Sequence, residues 1–277
     1  MRRRSGTLVI GGSLVALVIL AALVSFVWTP HDPGLVVPQH RLAGPSGKHW
    51  LGADKLGRDE LSRLMVGART TLLVGIVSVG VAALIGVPLG LVAAMTWRWL
   101  GEILMRVSDF VLAFPAVLLA IMLTAIYGSG VVIAMIAIGI STIPAFARVV
   151  RSGALQVMST EYVVAARAAG RRPVGIGLRH VLPNVTSLII VQASVSFAIA
   201  ILAEAALSFL GLGAPPDVPS WGRMLQESQS LLQQAPRLAI VPGVAIALAV
   251  LGFNLLGDGL RDLLDPRLQQ RRVEVQR

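Results

Sequence analysis

Residues 110–147 read FVLAFPAVLLAIMLTAIYGSGVVIAMIAIGISTIPAFA, 38 residues without a single charge. A helix that crosses a membrane needs about 20 mostly apolar residues at 1.5 Å rise each. The run is too long for one crossing and long enough for two. Gly128-Ser129-Gly130 in its middle is a turn signal, so the run divides into helices over about 110–127 and 131–147. Four more stretches of the same kind flank it: Leu8 to Trp28, Thr70 to Trp97, Thr186 to Leu207 with Glu204 as the one interruption, and Leu238 to Gly257. The reading is all-α, an integral membrane bundle of about six transmembrane helices.

Composition excludes the other classes. Hydrophobic residues make up 55% of the 277 and charged residues 14%, against about 25% charged in soluble domains. Mean hydropathy is +0.78. A compact soluble globule needs more polar surface, and a disordered chain is poor in apolar residues. With no cysteine, disulfide scaffolds, thiolate metal sites and cysteine nucleophiles all drop out. The net charge of +10 rests on 24 basic residues, two of them lysines (Lys48 and Lys55). No basic stripe is interleaved with aromatics, so nucleic acid is not an expected partner.

Arg2 to Arg4 before an apolar run resembles a signal peptide, but the run outlasts the ~7–15 residues of a signal core and ends in Phe26-Val27-Trp28-Thr29-Pro30. It reads as a retained helix with Trp28 at the interface. Six crossings put both termini on one side. That side carries 16 of the basic residues and the other 8, which places both termini in the cytoplasm. The outer loop 29–69 is rich in Pro, Gly and His, with a short helix expected near Asp59 to Val66.

The longest inner segment, 148–185, opens RVVRSGALQVMSTEYVVAARAAGRRPVGIGLRHVLPN. Ser159 or Thr160 is a helix N-cap, and Glu161 in the first turn suits the positive end of the dipole. Gly170 is a C′ cap and Pro173 blocks continuation. A helix of about ten residues follows. Tyr162, Ala165, Ala166 and Ala169 share one face of it. So short a helix is marginal alone in water, so it packs on something, either its own bundle or a partner.

The residues that decide between these are Ala165-Ala166, Gly170 and, at the right distance, Leu182-Pro183. Together they resemble the EAA loop of ABC importer permeases. Val164 stands where the family often has Glu, and His180 where the general motif has Ile. Arg179-His180-Val181-Leu182-Pro183-Asn184 matches the form of the peptide and nickel branch. Other segments resemble the same branch: His49-Trp50-Leu51-Gly52-Ala53-Asp54 with Leu56-Gly57-Arg58-Asp59 and Leu61-Ser62-Arg63, Ala206 to Gly213 with Pro219-Ser220-Trp221-Gly222, and Asn254 to Asp262 with Leu264-Asp265-Pro266-Arg267. Over about residues 1–268 the chain is similar to the second, "C"-type, permease subunit of dipeptide and oligopeptide importers.

The resemblance implies a type I (MetI-like) permease in one domain: residues 1–68 as first helix and outer loop, 69–265 as the core with a coupling loop at 148–185, and 266–277 as a cytoplasmic tail. It implies a bacterial inner-membrane location and a role in importing dipeptides or oligopeptides, with nickel or another small solute as the alternative. It implies a homologous second permease as partner, two cytosolic ATPase subunits using ATP and Mg, and an extracytoplasmic binding protein. The docking face for the ATPase is then Tyr162, Ala165, Ala166, Arg167 and Gly170, with Pro183 closing the loop. A stand-alone ion-coupled carrier or a membrane enzyme is the reading from another class, for which only Glu204 speaks.

The chain has no G-x-x-x-x-G-K-[ST], so neither ATP nor another cofactor is expected on it. No nucleophile–base pair stands out, so no catalytic residues are expected. His31, His40 and His49 lie nine residues apart without an i,i+4 pair, and no metal site is expected from that spacing. Glu204 at membrane depth either lines the translocation path or is a structural carboxylate paired with an outer-loop arginine, the second being favoured because an unpaired charge is costly there. Gly75, Gly80, Gly86 and Gly90 read as close helix packing, and Pro88 and Pro144 as kinks.

Overall fold

The computed structural model describes residues 6–264; the arginines at 2–4, the motif residues from Asp265 and the tail 266–277 lie outside them. The described residues are helical with no strand, only an isolated bridge between Ala53 and Asp59. The chain runs through α1 (Gly6–Val27), α2 (Glu60–Met95), α3 (Arg98–Ala113), α4 (Ala116–Tyr127), α5 (Val131–Met158), α6 (Glu161–Ala168), α7 (Pro173–Ile176), α8 (Leu182–Phe209), α9 (Trp221–Ser228) and α10 (Arg237–Leu264). α7 passes through a π-helical turn, Gly177–Val181, into α8.

Five stretches are long and apolar enough to cross a membrane. The sixth expected crossing differs from the sequence reading. Residues 110–127 do not form one helix: α3 ends at Ala113, α4 starts at Ala116, and the two axes bend by 82°. Pro115 is the cause, since it has no N–H and pushes Phe114 out of the helical region (φ −87°, ψ 122°). The pair makes a sixth crossing only as a broken span.

Two more boundaries move for local reasons. The short helix expected near Asp59 to Val66 is the start of α2, capped by Asp59, whose side chain accepts from Ser62 N–H. At 36 residues α2 is about 54 Å long against a hydrocarbon core of about 30 Å, longer than one crossing needs. The expected loop from 148 begins as helix, because nothing breaks α5 before Met158. Pro88 and Pro144 sit inside α2 and α5 without ending them.

The bundle is built on α2 against α5, with α8 across both and α1 against α10. Glycines set the α2–α5 distance. A Cβ on Gly86 would lie 2.7 Å from the Ile143 carbonyl, and one on Gly90 2.5 Å from that of Ala147. Gly75 faces the Phe197 ring, whereas Gly80 meets open space and takes no part in the packing expected of it. Outward-facing Leu17, Leu20, Leu23 and Phe26 on α1 leave an apolar surface suited to lipid.

Candidate functional site

Residues 159–181 fold as a small helical bracket packed on α5 and α8. Thr160 stands at the N-cap of α6 in extended conformation, without a side-chain cap bond. At the other end Gly170 adopts φ +75°, the left-handed conformation glycine reaches without a Cβ penalty. Its N–H donates to Arg167 O and the Arg171 N–H to Ala166 O, the paired bonds of a Schellman cap. The eight-residue helix is thus closed at its C-terminal end by a local cap, while at its start the Thr160 hydroxyl turns back to donate to Val157 O.

Val163 alone among the described residues of α6 is buried. It enters a cluster of Val150, Ala154, Ile176, Val181 and Val185, from α5, α7, the π turn and α8. Of the predicted docking set, Tyr162, Ala165, Arg167 and Gly170 are exposed and Ala166 is half-buried, with Arg167 Nη2 reaching back to Met158 Sδ on α5 at 3.3 Å. Tyr162 leans toward His180, with ring centroids 6.1 Å apart. Pro183 is exposed too, but it sits at the start of α8, off the α6 face. Arg167 and Arg171 border a cavity of ≈180 Å³ shared with Met95, Met158, Pro173 and Ile176. The one fully buried anchor of α6 is therefore a valine, and Ala165 and Ala169 stay exposed. The bracket offers a contact surface and no reacting group.

On the opposite loop, residues 52–63 form a buried ionic knot. Gly52 and Gly57 take φ +84° and +77°, and a Cβ on Gly57 would strike the Val37 carbonyl. Asp54 Oδ1 accepts the N–H groups of Leu56 and Arg58, and its Oδ2 accepts from Arg58 Nε and Arg63 Nη1, both at 2.6 Å. Glu227 on α9 closes the knot, 2.8 Å from Arg58 Nη2 and 2.9 Å from Arg63 Nη1. Arg237 at the head of α10 donates to the carbonyls of Leu42 and Ala43. The sequence displays the Asp-x-x-x-Arg spacing, but not the partner Glu227 far down the chain. Burial works against ionisation of Asp59, but hydrogen bonds from Ser62 and His49 outweigh it and hold its carboxyl below the usual range.

Glu204 has no arginine partner among the described residues, which corrects the favoured expectation. Its side chain is buried, Oε1 accepts from Ser208 Oγ at 2.7 Å, and Ser208 in turn accepts from Ala214 N–H. The turn leading into α9 covers it, with Trp221 Nε1 donating to Leu64 O. At 2% exposure Glu204 offers no surface to a passing solute in this conformation.

Comparison with known proteins agrees with this geometry. Residues 86–270 match the family model described as "Binding-protein-dependent transport system inner membrane component". The chain is 43% identical over 261 residues to the dipeptide transport system permease protein DppC of Alkalihalophilus pseudofirmus, covering 94% of this chain and 86% of that one. It is 46% identical over 267 residues to the glutathione transport system permease protein GsiD of Pectobacterium atrosepticum, covering 96% and 89%. In fold it is similar to a chain of the inward-facing MetNI methionine ABC transporter, with a TM-score of 0.62 at 19% identity, over 73% of this chain and 96% of that one.

Proposed function

The chain belongs to the family of inner-membrane components of binding-protein-dependent transport systems, and on that premise we propose that it is the permease subunit of an ABC importer carrying short peptides into the cytoplasm. Relatives named for dipeptide and glutathione transport support a peptide substrate over nickel. The observation that carries the mechanism is α6: a short helix fixed to the bundle by Val163, with its small-residue face outward. Alanine side chains let a second backbone approach closely. A cytosolic ATPase subunit docks on Tyr162, Ala165, Ala166 and Gly170, with Arg167 at the edge. ATP closes two such subunits on each other, and the docked helices carry the bundle between inward and outward openings as a rigid-body movement.

In this reading ATP and Mg are held by the partner, the termini are cytoplasmic, and the bundle pairs with a homologous permease. The knotted outer loop is the surface met by an extracytoplasmic binding protein. The test is co-purification and turnover. The chain alone should hydrolyse no ATP, and in membranes with its partners it should isolate with an ATPase whose activity rises when peptide-loaded binding protein is added. A chain that takes up peptide alone, driven by an ion gradient, overturns the proposal.

A further inference from the structure

The three histidines of the outer loop, nine residues apart and without helical periodicity, fold onto one carboxylate. His49 Nδ1 lies 2.8 Å and His31 Nδ1 3.5 Å from the same Asp59 oxygen, Oδ1. The other oxygen, Oδ2, is occupied in capping α2, accepting from Ser62 N–H at 2.8 Å and Ser62 Oγ at 2.7 Å. The division leaves Oδ1 to the imidazoles. The rings of His31 and His49 have centroids 4.7 Å apart, and one donor atom each from His31, His49 and Asp59 falls within 4.8 Å of the others. Asp59 and His49 are buried, at 2% and 5% exposure.

Hydrogen bonding alone does not account for this cluster. His31 Nδ1 is buried and has no hydrogen-bond partner among the described residues. A buried nitrogen left without a partner is unfavourable. The 3.5 Å between it and Asp59 Oδ1 is close to the ~3.4 Å that separates two ligands each bound at about 2.1 Å to one tetrahedral ion. His49 would move outward by about half an ångström to the same spacing. Behind His49, its Nε2 lies 2.9 Å from His40 Nδ1. A ligating histidine usually bonds its second ring nitrogen to an outer partner that fixes the ring, and His40 stands in that place. Two imidazole nitrogens and a carboxylate oxygen are a donor set for zinc-like ions rather than calcium or magnesium.

We propose that His31, His49 and Asp59 form a structural site for a divalent transition metal such as Zn²⁺, with His40 orienting His49. The ion would bridge the segment just after α1 to the cap of α2, alongside the His31 N–H bond to Ser62 Oγ. The fourth position is left to water.

The test uses the full chain in lipid nanodiscs with an affinity tag free of histidine. It is stripped with a chelator, reloaded with Zn²⁺ alone and washed. Elemental mass spectrometry should find one zinc per chain, and zinc-edge X-ray absorption should show two imidazole ligands. His31→Ala, which removes a half-exposed ring with no hydrogen bond through Nδ1, should melt like the stripped wild type yet lose the zinc. Asp59→Asn, which keeps a cap acceptor, should bind at least tenfold more weakly. His180→Ala, at the remaining histidine, should bind normally. Full stoichiometry in His31→Ala, or wild type holding no more zinc than the His31→Ala/His49→Ala double variant, overturns the site.

Discussion

Replacing Val163 with alanine should release α6 while leaving the membrane bundle intact. The side chain is fully buried and is the sole buried one among the described residues of α6. Removing two carbons forfeits about 1.6 kcal/mol of transfer energy, and the cavity left among Val150, Ile176 and Val185 raises the loss to about 2 kcal/mol. An eight-residue helix has little stability of its own to offset that. At 1.4 kcal/mol per factor of ten, the population with α6 detached rises about 30-fold. Hydrogen exchange in nanodiscs reads this directly, because the N–H groups of Val164, Ala169, Gly170 and Arg171 are bonded only within the bracket. Over 164–171 exchange should quicken about 30-fold, with α2 and α8 unchanged. Val164→Ala removes the same two carbons from an exposed site, 55% accessible, and should change exchange by about twofold or less. Equal exchange in the two variants would refute the anchoring role of Val163.

Gly170→Leu projects a side chain from the face proposed for docking into open space, at a backbone cost of about 1 kcal/mol for its positive φ. Peptide uptake by the assembled transporter should fall while ATP hydrolysis continues, whereas Gly170→Ala, which carries the strain alone, should retain most uptake. Asp54→Ala leaves Arg58 and Arg63 buried with only Glu227, and should cost about 3–5 kcal/mol, read as a lower melting temperature and earlier proteolysis of the outer loop. Adding Glu227→Ala should then cost more than it does alone, since it removes the last carboxylate facing the two buried arginines. Gly90→Val drives a Cβ to within 2.5 Å of Ala147 O and should sharply reduce the folded yield, whereas Gly80→Val, with nothing within 4 Å, should melt like the wild type.

What the sequence makes legible follows the range of the forces involved. A hydrocarbon core demands long apolar runs, so the crossings can be located, although α2 begins ten residues before its apolar run and α5 ends eleven residues after it; Pro115 is the instructive exception. An uncharged run looks continuous to a hydropathy reading, yet one missing N–H divides it into α3 and α4. The caps of α6 are local, so its limits at Thr160 and Gly170 are legible too. Which face it buries is not, because Val163 acquires its neighbours from α5, α7 and α8. The loop between α1 and α2 is harder still. Its glycines and Asp54 mark a tight turn, but Glu227 lies 164 residues beyond Arg63, and no local pattern announces the pair. The histidines are hidden for the same reason: their spacing carries no helical period, and only the folded loop brings them to Asp59.

The docking of α6 on an ATPase subunit is open to a direct measurement, because the chain has no cysteine of its own. A single cysteine at Ala165 or Ala169, on the exposed face, can be joined by a short bifunctional maleimide to cysteines placed on the surface of the ATPase subunit, in membranes holding the assembled transporter. Both positions should give a joined product of the two chains, altered in yield when ATP is bound, and a cysteine at the buried Val163 should give none. No product from any position between 162 and 170, in a transporter that still takes up peptide, would contradict the coupling role of this helix.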